Sequence, residues 1–297
     1  DEIGEEAIGP VFLRGKQMWT IGGLVGIVLA ATLGLINIRL PLLLAGAGML
    51  ALSGGLALMM PETRMRPVPA EERSTFGHMK ATAIEGYRLA MARPVVKVLI
   101  TIILVVGLAA EAFDRLNVPL VIDRFDFPTL FGSDSPVLWF GISGVVGSVI
   151  GLAVSEVFKR RNPEALGPGA PARLLAGCAA LQIAALVAFT LSGSLWLAFA
   201  MLWTRTAVSA ISSPVEDAWL NRHLDASTRA TVGSMMGQAN SIGQVGGGLA
   251  LGWVGSAVSI KAALLCSAVV LAPTVALYRR LIERAPEAAE PALTPAD

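Results

Sequence analysis

The stretch Pro94-Val-Val-Lys-Val-Leu-Ile-Thr-Ile-Ile-Leu-Val-Val-Gly-Leu-Ala-Ala-Glu-Ala-Phe113 decides the fold class. Its apolar residues run continuously rather than in alternation, and the run is about twice the length of a membrane-barrel strand. A hydrocarbon core of roughly 30 Å needs about 20 apolar residues in a helix, which this segment supplies. Working outward, comparable stretches lie at about 18–38, 40–60, 136–157, 172–191, 195–217, 231–256 and 258–279. The sequence therefore predicts an all-α polytopic membrane protein with eight transmembrane helices.

The composition agrees. Of 297 residues, 54% are hydrophobic and 15% charged, with a mean hydropathy of +0.66; a soluble domain carries roughly a quarter charged residues. Lysine and arginine (23) balance aspartate and glutamate (22), leaving no basic excess for nucleic acid. Cys178 and Cys266 both sit in apolar runs, and His78 and His223 are far apart. Neither a disulfide framework nor a metal site is expected. With no Gly-x-x-x-x-Gly-Lys-Ser/Thr loop, the sequence offers nothing to hold ATP. No cofactor and no enzymatic activity are expected. Of the 23 cations, 18 fall in one set of loops, Arg64, Arg66, Lys159, Arg160, Arg161, Arg279 and Arg280 among them. The positive-inside rule then puts both termini and the 61–93 loop in the cytoplasm, with the chain multi-pass in the inner (plasma) membrane. The first 17 residues are mixed and acidic, unlike a cleavable signal peptide, and the chain begins with Asp1.

An internal repeat links the two ends. Gln17-Met-Trp-Thr-Ile-Gly22-Gly-Leu-Val-Gly26 aligns with Gln238-Ala-Asn-Ser-Ile-Gly243-Gln-Val-Gly-Gly247 at an offset of 221 residues, and the same offset carries Leu43, Leu44 and Leu56 onto Leu264, Leu265 and Leu277. Transporters are often built from two repeated halves. If spans one and two correspond to spans seven and eight, a unit holds six spans, and four more are expected ahead of Asp1. The expected organisation is a two-helix remnant of an N-terminal half (1–60), a cytoplasmic linker (61–93), a six-helix C-terminal half (94–281) and a cytoplasmic tail (282–297). The linker opens with the Pro-rich Pro61 to Ala70 and continues with Phe76, Met79, Ala83, Tyr87 and Ala90 at helical spacing, which predicts an interfacial helix.

These residues resemble the major facilitator superfamily. Pro61-Glu62-Thr63 resembles that family's exit into its central loop. Met201 through Arg205 to Pro214, Trp219-Leu220-Asn221-Arg222 and Arg229-Ala230-Thr231 to Gly248 resemble helices ten and eleven of bacterial efflux-type members. In place of the exporters' Gly-x-x-x-Gly-Pro, Gly22 and Gly26 are followed by Ile27, and Ser155-Glu156 stands where the family has an acidic-basic pair before its basic cluster. The resemblance implies a secondary active transporter working by alternating access: a proton-coupled exporter of small molecules, monomeric when full length, with the bilayer, a solute and H+ as partners. The alternative class is a membrane-embedded sensor or enzyme without transport activity.

Candidate residues follow from charge and polarity at membrane depth. Arg205 lies about ten residues, roughly 15 Å, from the outer end of its span. A cation there costs at least about 2.5 kcal/mol on insertion scales, so it faces either a cavity serving substrate or coupling, or an acidic partner that fixes helix packing. Glu111, Asp114 and Arg115 sit at the outer end of the third span; Glu111 and Arg115 share a face and form either a mouth ion pair or a proton-carrying site. Gln238, Asn240, Ser241 and Gln244 make a polar stripe in the seventh span, for substrate or for a neighbouring helix. Gly22, Gly26, Gly151, Gly243 and Gly247 are expected to allow close helix approach and rocking. Glu216, Asp217 and Arg222, with Asp225 and Arg229, form either a cytoplasmic gate lock or a solvated loop face. Trp203, two residues before Arg205, is expected to line the cavity.

Overall fold

The computed structural model describes residues 5–59, 84, 87–88, 91, 94–130, 132–160, 169–222 and 226–284. The helices are α1 (Glu5–Ile36), α2 (Leu40–Met59), α3 (Pro94–Arg124), α4 (Pro136–Arg160), α5 (Ala170–Leu191), α6 (Leu195–Arg222), α7 (Ala226–Ala257) and α8 (Ile260–Arg284). Among the described residues the β structure is limited to an isolated bridge between Leu130 and Ser133. Proline opens α3 and α4 and stands in the first turn of α5, where its fixed φ suits the helix and its missing N–H would have had no partner. Gly169, at φ 79°, supplies the left-handed residue that turns the chain into α5.

Among the described residues, six helices are long and apolar enough to cross a membrane: Leu40–Met59, Pro94–Arg124, Pro136–Phe158, Ala170–Leu191, Leu195–Trp219 and Ile260–Ile282. Of the two other spans expected, the described apolar part of α1 is the shorter Ile21–Ile36. In α7, Gln238, Asn240, Ser241, Gln244 and a run of glycines dilute the apolar character. The third span was expected to end near 113, but α3 runs on to Arg124. Past Phe113 its inner face still carries buried Leu120 and Val121, so packing sustains the helix where hydropathy fades. The proposed linker helix and the tail beyond Arg284 fall largely outside the described residues; of 61–93 only Ile84, Tyr87, Arg88 and Met91 are described, and they are helical.

The chain divides into two compact units. One holds α1, α2 and Phe127–Ser148. Within it α1 meets the first half of α4 along small residues: a Cβ added at Gly141 would stand 2.5 Å from the Ala31 Cβ, one at Gly34 2.9 Å from Val137, and one at Gly144 3.4 Å from Ile27. Residues 27, 31 and 34 face 137, 141 and 144, two helical stripes of matching period. No residue of α2 is buried, as suits a helix whose surroundings are lipid.

The other unit holds Phe76–Asp126 and everything from Val149 onward. There α3 packs on α7 and α8, α5 on α6 and α8, and α7 on α8. At one end of the bundle Val96, Leu99, Leu175, Trp219, Met236, Tyr278 and Leu281 belong to one buried apolar cluster. The α3–α7 contact is a glycine seam. A Cβ at Gly243 or Gly247 would run into the backbone of Leu104 or Leu108, and one at Gly107 into the carbonyl and side-chain oxygen of Asn240.

Candidate functional site

The site is built on α6. Arg205, Ser209, Ser212 and Glu216 recur at i, i+4, i+7 and i+11, so they form one stripe. On α8, Ser267, Leu271, Thr274 and Tyr278 repeat the same spacing. The two stripes, with Leu175, Cys178 and Gln182 of α5 and Val106 and Ala109 of α3, line a cavity of about 290 Å³ that lies wholly within the second unit. That volume is near the lower edge of the range for small-molecule pockets, the size for a small solute.

Arg205 is held from several directions. Its Nη1 donates to the Gln182 carbonyl at 3.2 Å, and its guanidinium carbon lies 4.0 Å from the centre of the Phe113 ring. Phe113 is itself fixed edge-on by Phe189 at 5.6 Å. The Asp114 carboxylate adds electrostatic attraction. The Gln182 amide completes a cross-helix clamp, its Nε2 donating to the Arg205 carbonyl at 3.0 Å and to Ser209 Oγ at 2.9 Å. Its Oε1 is buried without a hydrogen-bond partner among the described residues.

At the other end of the stripe, the Tyr278 hydroxyl donates to Glu216 Oε1 at 3.0 Å, tying α8 to α6. Ser267, fully buried, donates to the Ala109 carbonyl at 2.7 Å and ties α8 to α3. Pro214 lies inside α6 and has no N–H to donate to the Ala210 carbonyl.

The expected site residues divide. Arg205 and Glu216 come together on the cavity wall. Glu111 pairs with Arg115 at 2.6 Å, and its Cγ would lie 3.3 Å from a Cβ at Gly248. Neither Glu111 nor Asp114 is on the wall of this cavity. Asn240 packs on Gly107 of α3, Gln238 is exposed and Gln244 is half-buried; none of the three is on the wall. Trp203 stacks on Phe199 at 6.1 Å and is not on the wall either. Gly151 faces Thr206, a Cβ there standing 3.5 Å from its methyl group. Around Gly22 and Gly26 a Cβ would meet nothing within 4 Å among the described residues. Asp217 is exposed; the side chain of Arg222 and the loop residue Asp225 lie outside the described residues, as does the Arg229 side chain. Glu156 bonds Arg160 at 3.0 Å on the exposed side of α4.

Gln182, Ser267, Thr274, Tyr278 and Cys178 were not singled out in the sequence. The spacing that could have found them is the match between 205, 209, 212, 216 and 267, 271, 274, 278. The chain matches no protein-family model and no curated protein, so the likeness to the major facilitator superfamily rests on the residues quoted above. The structure itself establishes a polytopic, helical membrane protein with several apolar helices of membrane length.

Proposed function

We propose that this protein is a secondary active transporter that moves a small molecule by alternating access, as a proton-coupled exporter of the major facilitator kind. In this reading all eight helices span the membrane and both termini are cytoplasmic. The observation that carries it is the Arg205–Ser209–Ser212–Glu216 stripe facing a cavity inside a membrane-spanning bundle. Ionisable groups at membrane depth are expensive, and they typically mark the path of a solute or proton. Arg205 serves as the substrate or coupling residue, with Asp114 and Glu111 as the nearby carboxylates. The glycine seam between α3 and α7 lets those helices slide past one another without side chains to interlock.

The test is solute-driven proton movement in proteoliposomes carrying a pH-sensitive dye, run against a panel of amines, organic acids, sugars and amphipathic cations. At least one solute should dissipate an imposed proton gradient, and Arg205→Ala should reduce that flux at least tenfold while the helical circular dichroism stays unchanged. A folded Arg205→Ala protein with full flux would remove Arg205 from the mechanism. Silence across the panel would count against transport.

A further inference from the structure

The cavity of α3, α5, α6 and α8 carries its charges unevenly. Its cation has partners of its own: the Gln182 carbonyl and the Phe113 face lie against Arg205, and the Asp114 carboxylate attracts it from beyond ion-pair distance. Its carboxylate differs. Glu216 accepts from the Tyr278 hydroxyl, and the charge that acts on it among the described residues is Asp217, of the same sign. Among the described residues no cation pairs with Glu216 within 4.0 Å, the ion pairs being Glu111–Arg115 and Glu156–Arg160.

Gln182 leaves a second acceptor unmet, its buried Oε1, while both donor bonds of its amide are spent on α6. Ser209, which holds Gln182, and Glu216 are two helical turns apart, about 10 Å along the axis. Between these levels the wall carries Leu175, Ala179 and Leu271 beside the hydroxyl-bearing Ser212, Ser213 and Thr274. A buried acceptor with no donor is costly, and a buried carboxylate with no counter-charge more so; a ligand that brings a cation and a second donor answers both.

We infer that this cavity binds a small primary ammonium compound. The ammonium group sits on Glu216, the body of the compound fills the middle, and a second hydrogen-bond donor reaches Gln182 once a turn of its side chain brings the enclosed Oε1 to the cavity. The assignment rests on the reading of this cavity as a transport site. It differs from that reading in fixing the ligand's charge and in placing the whole site inside one unit.

The test is equilibrium binding of radiolabelled tyramine to the full chain in nanodiscs. Tyramine has an ammonium at one end, a ring, and a hydroxyl donor at the other. The competitors are cyclohexylamine, which lacks the second donor, and 4-hydroxyphenylacetate, which carries a carboxylate in place of the ammonium. Tyramine should bind saturably, cyclohexylamine should displace it, and 4-hydroxyphenylacetate should not. Glu216→Gln should weaken tyramine at least tenfold, and Gln182→Leu should weaken tyramine more than it weakens cyclohexylamine.

Saturable binding by neither amine, displacement by the carboxylate as strong as by the amine, or unchanged affinity in a folded Glu216→Gln protein would each overturn the assignment. Should Glu216→Gln not fold, the contrast between amine and carboxylate on the unaltered chain decides. Amine binding without amine-driven proton flux in vesicles would keep the site and remove the transport reading. Flux driven by other solutes, with no amine bound, would do the reverse.

Discussion

Two polar stripes run along neighbouring parts of the sequence, one on α6 and one on α7, and they meet different fates. On α6, Arg205, Ser212 and Glu216 line a cavity. On α7, Gln238 and Ser241 stand on the exposed side beside Ile242, Val245 and Leu249, and Asn240 packs against Gly107. The buried side of α7 is Val232, Met236, Ala239, Gly243 and Gly247. Helical spacing tells which residues share a face; it does not tell which face turns inward. In α7 the glycines decide, because only a surface without side chains can come against the α3 backbone as closely as this seam requires.

The contrast can be broken first at the seam. Gly247→Leu would drive a side chain into the Leu108 carbonyl and should destabilise the protein by about 3 kcal/mol or more. Gly246→Leu, one position away and with nothing within 4 Å of its Cβ, should shift stability by no more than about 0.5 kcal/mol. Thermal unfolding in detergent checks the pair, and equal midpoints would mean that α7 does not pack on α3 through its glycines.

A smaller loss is expected at the cavity. Tyr278→Phe keeps the ring and removes the hydroxyl that reaches Glu216. Stability should fall by about 1.5–3 kcal/mol, the worth of a hydrogen bond to a charged group. If Glu216→Leu, which removes the acceptor, is made as well, the double-mutant cycle should show the two effects to be coupled; simple additivity would mean the bond contributes nothing.

The smallest effect belongs to the exposed α7 stripe. Gln238→Ala should leave stability within about 0.5 kcal/mol and leave solute-driven proton flux unchanged. A tenfold loss of flux in that variant would move the functional face from α6 to α7.

Much of the architecture could be read from the letters. The run from Pro94 to Phe113 needs no partner to declare itself a membrane helix, since its length and continuous apolar character are local properties. Arg205 is legible for a similar reason: a cation in such a run demands an explanation wherever its neighbours lie. Glu216 is legible as a charge, but beside Asp217, Arg222 and Asp225 it reads as part of a loop network. Its place in the cavity depends on Tyr278, which is 62 positions away on another helix. Gln182 was hidden in the same way, as its partners Arg205 and Ser209 lie on the next helix. Glycine is the hardest to read. Gly243 and Gly247 resemble Gly22 and Gly26 in sequence, yet the first pair meets the α3 backbone and the second has open space around it among the described residues. A missing side chain records neither what lies next to it nor whether anything does.

The α6 cavity can be tested through the protein's own thiol. Cys178 lines that cavity, and Cys266, exposed on α8, is the other cysteine of the chain. In a Cys266→Ser background, membrane vesicles can be treated with small water-soluble methanethiosulfonates, one bearing an ammonium group and one a sulfonate, with Cys178→Ser as the blank. An aqueous cavity whose Glu216 carboxylate meets no cation within 4.0 Å among the described residues predicts that Cys178 is modified, and at least tenfold faster by the ammonium reagent. A folded protein whose Cys178 resists both reagents, or reacts faster with the sulfonate, would contradict the account.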